Sequence, residues 1–266
     1  MRASGKSAGN GYAQIACAPG FWPPEQPPAL ITAVSTEEEF DWSGPFRRDA
    51  QCVSAIDALT NAQALFDAFG VRPTYLVDYP VVADARSRDV LGRIHADGRC
   101  EIGAHLHPWV SPPHEEEVSE FHSFPGNLPM ELERRKIHCL TEILERSFGA
   151  RPTAYQAGRY GFGDNTAAIL DELGYLVDLS ASPAFDLSAA GGPNYADLDN
   201  APFWFGRAGD RLAVPITGAY VGVAARVGPV LHRWFHSDVV RWTRVAGILA
   251  RGGVVNIEKT GAIESH

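Results

Sequence analysis

Short apolar runs alternate with helically spaced apolar positions along the chain, the pattern of an α/β fold. The first run, Ala29 to Val34, predicts a strand. A helix follows over roughly 50 to 69, where Ile56, Leu59, Ala62, Leu65, Phe66 and Phe69 recur at helical spacing and Gly70 closes it. Thr74 to Val77 is the second strand, and Arg86 to Ala96 a second helix ended by Asp97-Gly98. Cys100 to His105 is the third strand. The proline-rich stretch after it is too long for a mere connector. Met130 to Phe148 then predicts a helix, Thr153 to Ala157 a fourth strand, Asp164 to Leu173 a helix and Tyr175 to Leu179 a fifth strand. From Ser180 to Arg207, Gly, Pro, Asn and Asp predict an excursion over one face. Leu212 to Ile216 resumes as strand, Ser237 to Ala250 as helix and Gly253 to Ile257 as strand. About seven strands, each followed by a helix or long loop, suit a single (β/α) barrel over 28–266. An open doubly wound sheet is the alternative, but no GxGxxG follows the first strand. No fixed repeat suggests a solenoid or propeller.

Composition narrows the class. The 266 residues are 45% hydrophobic and 21% charged, which excludes a disordered chain or a disulfide mini-protein. A core of this size needs no metal staple, so a metal here would serve chemistry. The net charge of −9 argues against nucleic acid or an anionic membrane as the main partner. No apolar stretch is long enough to predict a spanning helix. Cys17, Cys52, Cys100 and Cys139 form no CxxC pair and predict reduced thiols. Residues 1 to about 27 read as a loose N-terminal arm without a signal-peptide apolar region, so a cytoplasmic location is expected.

Polar groups gather where the predicted strands end, the rim at which barrels place their chemistry. His105 and His107 are two apart, so in extended chain both imidazoles reach one side and can hold one divalent ion such as zinc. Packing of one ring and capping by the other is the competing explanation. Of the three successive glutamates, Glu38 and Glu39 read as a solvated face. Glu37 alternates with Ser35 and is the candidate third ligand, with Asp41 as substitute. Asp78 ends the second strand and is a candidate acid or base, or else a cap on the following turn. Arg159, within AGRYGFG, is placed either to orient a carboxylate or to lock the loop by an ion pair. Trp42, Trp109, Tyr160, Trp204 and Phe205 lie in predicted loops, where aromatics suit sugar faces or cover a barrel end. His114, His122, His232 and His236 lack ligand spacing and read as surface or packing residues.

The segments TEEEFDW (36 to 42), YLVDYP (75 to 80), EIGAHLHPW (101 to 109), SFPGNLP (123 to 129) and AGRYGFG (157 to 163) occur in this order. Together they resemble the polysaccharide deacetylase-like proteins, the chitin and peptidoglycan deacetylase superfamily. The resemblance implies a distorted (β/α) barrel that hydrolyses the acetamide of N-acetylated sugars with one divalent metal. It implies Glu37, His105 and His107 as the metal site and Arg159 in the segment that positions the base; apart from the resemblance, Asp78 or Asp41 is the candidate base, and Trp42, Trp109 and Tyr160 are the candidate substrate-binding aromatics. The departures are specific. Relatives carry the base aspartate where this chain has Ser35, space their histidines four apart rather than two, and often carry arginine where Gln156 stands. Their late catalytic histidine has no counterpart before His266, so truncation at the C-terminus is one expectation. Three readings follow. They are a metal-dependent deacetylase, a degenerate carbohydrate-binding relative that lost its base at Ser35, and an HxH hydrolase of the amidohydrolase type.

Overall fold

The computed structural model describes residues 11–14, 18–20, 25–27, 29–221 and 256–259. Its main sheet has eight strands in the order β1-β7-β8-β6-β5-β4-β3-β2. Six are parallel neighbours: β2 (Ala33–Thr36), β3 (Thr74–Val77), β4 (Glu101–Leu106), β5 (Ala154–Ala157), β6 (Val177–Asp178) and β8 (Arg211–Ala213). β7 (Phe203–Phe205) and β1 (Ala18–Pro19) extend one edge antiparallel. Among the described residues the two edge strands, β1 and β2, do not pair with each other, so the sheet is not closed. The expected α/β architecture with a parallel sheet is therefore present.

The central strands are buried on both faces because helices cover the outside, and their residues are accordingly near-continuous apolar runs. α4 (Met130–Phe148) lies against β4. It buries Leu132, Ile137, Leu140 and Leu144 along one stripe, with Glu131 and Glu133 in its first turn. Gly149, at φ 75°, ends it in the left-handed conformation that glycine adopts without a Cβ clash. α3 (Ala85–Ala96) is capped by Asp84, which accepts from the Ser87 N–H, and α5 (Thr166–Leu173) completes the cover. α1 (Leu59–Ala68) follows a 3-10 turn at Ser54–Ala58, so the expected helix over 50 to 69 is shorter and broken at its start.

Two expectations are corrected. The stretch from Ser180 to Arg207 contains β7, in which Phe203 and Phe205 are buried while Trp204 faces out. Three residues between turn formers are too short an alternation to read as strand. The described parts of the N-terminal arm are not loose. β1 pairs with β7, and Tyr12 is buried, stacked on Phe162 at 4.1 Å and bonded to the Asp178 carboxylate. The Gly and Pro content of residues 1 to 27 hid that one tyrosine. β9 (Gly218–Val221) and β10 (Asn256–Lys259) form an antiparallel pair, close to the last expected strand. The expected helix from Ser237 to Ala250, together with His232, His236 and Cys17, lies outside the described residues. Cys52, Cys100 and Cys139 are free thiols. Among the described residues no helix is long and apolar enough to cross a membrane.

Candidate metal centre

β2 and β4 deliver their residues to a common rim. Side chains two apart on extended chain share a side, which groups Ser35 with Glu37 and His105 with His107. Register pairs His105 with Gln156 on β5, and paired residues in a parallel ladder face the same way. Ser35 Oγ donates to Gln156 Oε1 at 3.0 Å, so all five belong to one inner face.

At that face Glu37 Oε2 lies 2.9 Å from His105 Nε2 and 3.5 Å from His107 Nε2. The two imidazole nitrogens are 3.1 Å apart. Around a tetrahedral ion with bonds of about 2.0–2.1 Å, ligand atoms stand about 3.3 Å from one another. The three donor atoms already have that spacing. Both rings are buried, whereas the Glu37 side chain is 27% exposed, so the cluster is reached from one side. Two imidazoles and one carboxylate accessible on one side are a donor set that suits a divalent ion with an open coordination position.

Glu38 is not the solvated residue that a run of glutamates predicts. It is 2% exposed, and its Oε2 lies 2.8 Å from His107 Nδ1. Its own backbone N–H donates to Asp78 Oδ2 at 2.9 Å. Asp78 Oδ1 accepts the Val81 N–H at 3.0 Å, which caps the short helix α2 (Tyr79–Ala83). Burial pushes the Glu38 carboxyl up to about 7, with the Asp78 contact opposing and the Glu37 charge adding to the rise. Burial, and then the neighbouring Glu38 carboxylate, hold Asp78 well above the ordinary carboxylate range. Asp78 is fully buried, and its two oxygens accept the Glu38 and Val81 N–H groups, which is the capping arrangement. Alternation puts Glu38 on the side opposite Glu37 and so gives no sign of its contact with His107.

The other expected site residues separate. Asp41 turns outward and accepts from the Ser43 N–H and hydroxyl in a local turn, away from the histidines. Arg159 donates to Ser123 Oγ at 2.5 Å and to the Glu120 carbonyl, and stacks over the Phe124 ring at 4.1 Å. Its polar partners belong to the loop after β4, and its second ring contact is Phe46 at 5.1 Å, so it ties that loop to the segment after β2. Trp109 is 1% exposed, stacked on His107 at 4.3 Å and 22° and edge-on to Phe46. A ring buried so completely cannot contact substrate; it walls the site. Tyr160 packs against the core while its carbonyl accepts from the Tyr195 hydroxyl. Trp42 is 53% exposed and stands 6.4 Å from the His107 ring, which leaves it as the open aromatic of the mouth. Phe205, expected in a loop, is a buried strand residue.

The proline-rich stretch owes its order to two devices. Lys136 on α4 is fully buried and donates to the Pro108 and Ser111 carbonyls at 3.0 and 2.6 Å, while Glu116 pairs with it at 2.9 Å. These contacts hold the backbone on both sides of Trp109. Further on, Gly126 donates to the Gly161 carbonyl at 2.8 Å, and a Cβ at Gly126 would stand 2.4 Å from Gly163. The glycines of SFPGNLP and AGRYGFG thus let two loops meet backbone to backbone. Lys136 gives no sequence signal, since one lysine on an amphipathic helix reads as exposed.

No family model matches the chain, and no curated protein matches it. Solved structures do. The chain is similar to Puue allantoinase at 20% identity and TM-score 0.49, with 82% of this chain and 70% of that chain covered. It is similar to a family 4 acetyl xylan esterase from Clostridium thermocellum, solved with a cobalt ion, at 15% identity and TM-score 0.38, covering 61% and 67%. A CE4 family pseudoenzyme from Bacillus anthracis matches at 15% identity and TM-score 0.36, covering 46% and 37%. The chain spans about half the length, or less, of several structures it matches. All of these likenesses stand below 25% identity and a TM-score of 0.5, so the chemistry rests on the chain's own residues.

Proposed function

We propose that the chain is a metal-dependent hydrolase that removes acetyl groups from N-acetylated carbohydrate. The observation that carries this reading is the triangle of Glu37 Oε2, His105 Nε2 and His107 Nε2, spaced at 2.9, 3.1 and 3.5 Å with one side accessible. Glu37, His105 and His107 would hold the ion. A bound divalent ion such as zinc polarises an amide carbonyl and makes water a better nucleophile. Trp42 offers an exposed ring beside the centre, suited to the apolar face of a sugar.

Ser35 sets the limit on turnover. Its one hydroxyl proton is donated to Gln156, which leaves its lone pairs as acceptors. An oxygen of that kind accepts a hydrogen bond from a water and orients it, but cannot take its proton at neutral pH. Proton removal then falls to solvent, and the rate rises with hydroxide. The same contact supports a second reading, a relative that binds metal and carbohydrate without turning it over. Incubation with zinc or cobalt and N-acetylated oligosaccharides separates the two. Acetate release that needs the metal supports the hydrolase; glycan binding without acetate release supports the second reading, and neither result in a protein carrying one ion removes both.

A further inference from the structure

The His107 ring is held on three sides. One face stacks on Trp109 at 4.3 Å. At its edge lies Gly158, where an added Cβ would stand 2.6 Å from His107 Cδ2, so only glycine leaves room for the ring. The third hold is polar, the 2.8 Å contact between His107 Nδ1 and Glu38 Oε2. In its ionised form Glu38 offers no proton, so Nδ1 is then the donor. A neutral imidazole carries one N–H, which leaves Nε2 as a lone pair aimed at Glu37 and His105. Among the described residues His105 has no such partner: its buried Nδ1 makes no hydrogen bond.

Glu38 is itself fixed from behind. Its backbone N–H is tied to Asp78, whose other oxygen caps α2, so the end of β3 anchors the loop after β2. We infer that Glu38 is a positioning residue, anchored by Asp78, that holds His107 as the Nδ1–H tautomer and so aims its Nε2 lone pair at the centre. The inference deepens the metal-site reading and rests on it for its consequence, since outer-shell acceptors of this kind tune ligand strength. The tautomer itself is a property of the metal-free chain.

Two measurements on the full chain test it. Nitrogen-15 NMR of the metal-free protein, at a pH well above the ordinary imidazole range, is expected to show His107 protonated at Nδ1 and bare at Nε2. A His107 protonated at Nε2 overturns the inference without any variant. Zinc titration by chelator competition is expected to show affinity reduced about 10- to 100-fold in Glu38→Leu and far less in Glu38→Gln, whose amide oxygen still accepts. Unchanged tautomer and unchanged zinc affinity in Glu38→Leu overturn it. If that variant does not fold, Glu38→Gln and the wild-type spectrum still decide: a spectrum in either that lacks the Nδ1–H tautomer overturns it. A wild-type chain that shows this tautomer but binds no zinc refutes the metal centre and leaves the role of Glu38 standing.

Discussion

Ser35 on β2 and Gln156 on β5 touch at 3.0 Å although β3 and β4 lie between their strands. Three steps of about 4.8 Å would separate them by about 14 Å in a flat sheet, more than a serine and a glutamine side chain can span. The sheet is therefore strongly curled around its inner face, and the curl brings the rim residues of β2, β4 and β5 together.

That contact bears on any attempt to install a base. A carboxylate at position 35 would face the Gln156 oxygen, so the amide must rotate and give up its 3.1 Å bond to the Leu179 carbonyl. Ser35→Asp is still expected to raise acetate release, by roughly 10²-fold with zinc or cobalt supplied, the lower end for general-base assistance. A rate no higher than wild type would mean that a missing base is not what limits turnover.

Metal binding is expected to depend on the two imidazoles. Wild-type chain should carry one zinc per molecule by elemental analysis after loading and desalting. His105→Ala and His107→Ala should each carry close to none. Saturating zinc at about 100 times its dissociation constant should stabilise the wild type by about 2.7 kcal/mol in denaturant titration, and neither variant measurably.

Glu133 supplies a pH dependence away from the centre. Burial pushes its carboxyl up to about 8, with the hydrogen bond from Thr166 opposing. The folded chain therefore holds a proton that the unfolded chain loses near the ordinary glutamate value of 4.5. Stability should fall as pH rises through the window between those values, by up to about 1.4 kcal/mol per unit. Glu133→Gln should flatten that slope. Urea midpoints of the two proteins, compared at about pH 5 and about pH 8, should diverge only at the higher pH.

The loop contact at Gly126 should tolerate no side chain. A Cβ there would stand 2.4 Å from the backbone nitrogen and Cα of Gly163, where nothing flexible can yield. Gly126→Ala should cost about 1–3 kcal/mol in chemical denaturation, as overpacking does. Gly92→Ala, with open space around it in the middle of α3, should instead leave stability unchanged or slightly raised.

What local order dictates was legible in the chain itself. The period of apolar positions predicted α4 over Met130–Phe148, β3 over Thr74–Val77 and the alternation that makes a parallel α/β sheet, because burial against one neighbour leaves a repeating mark. The i, i+2 spacing of His105 and His107 likewise put both rings on one side, and Ser35 was marked as a residue unable to act as base. The partners of each side chain were decided only by the folded sheet. Its curl joined Ser35 to Gln156 and Glu37 to the histidines, while burial turned Glu38 from a surface charge into a bond to His107. The same packing set Asp78 against the Glu38 N–H, Asp41 in a surface turn, Trp109 in the wall and Tyr12 in the core. Those contacts join residues far apart along the chain, and no local pattern encodes which distant group will fill the space beside a buried polar atom.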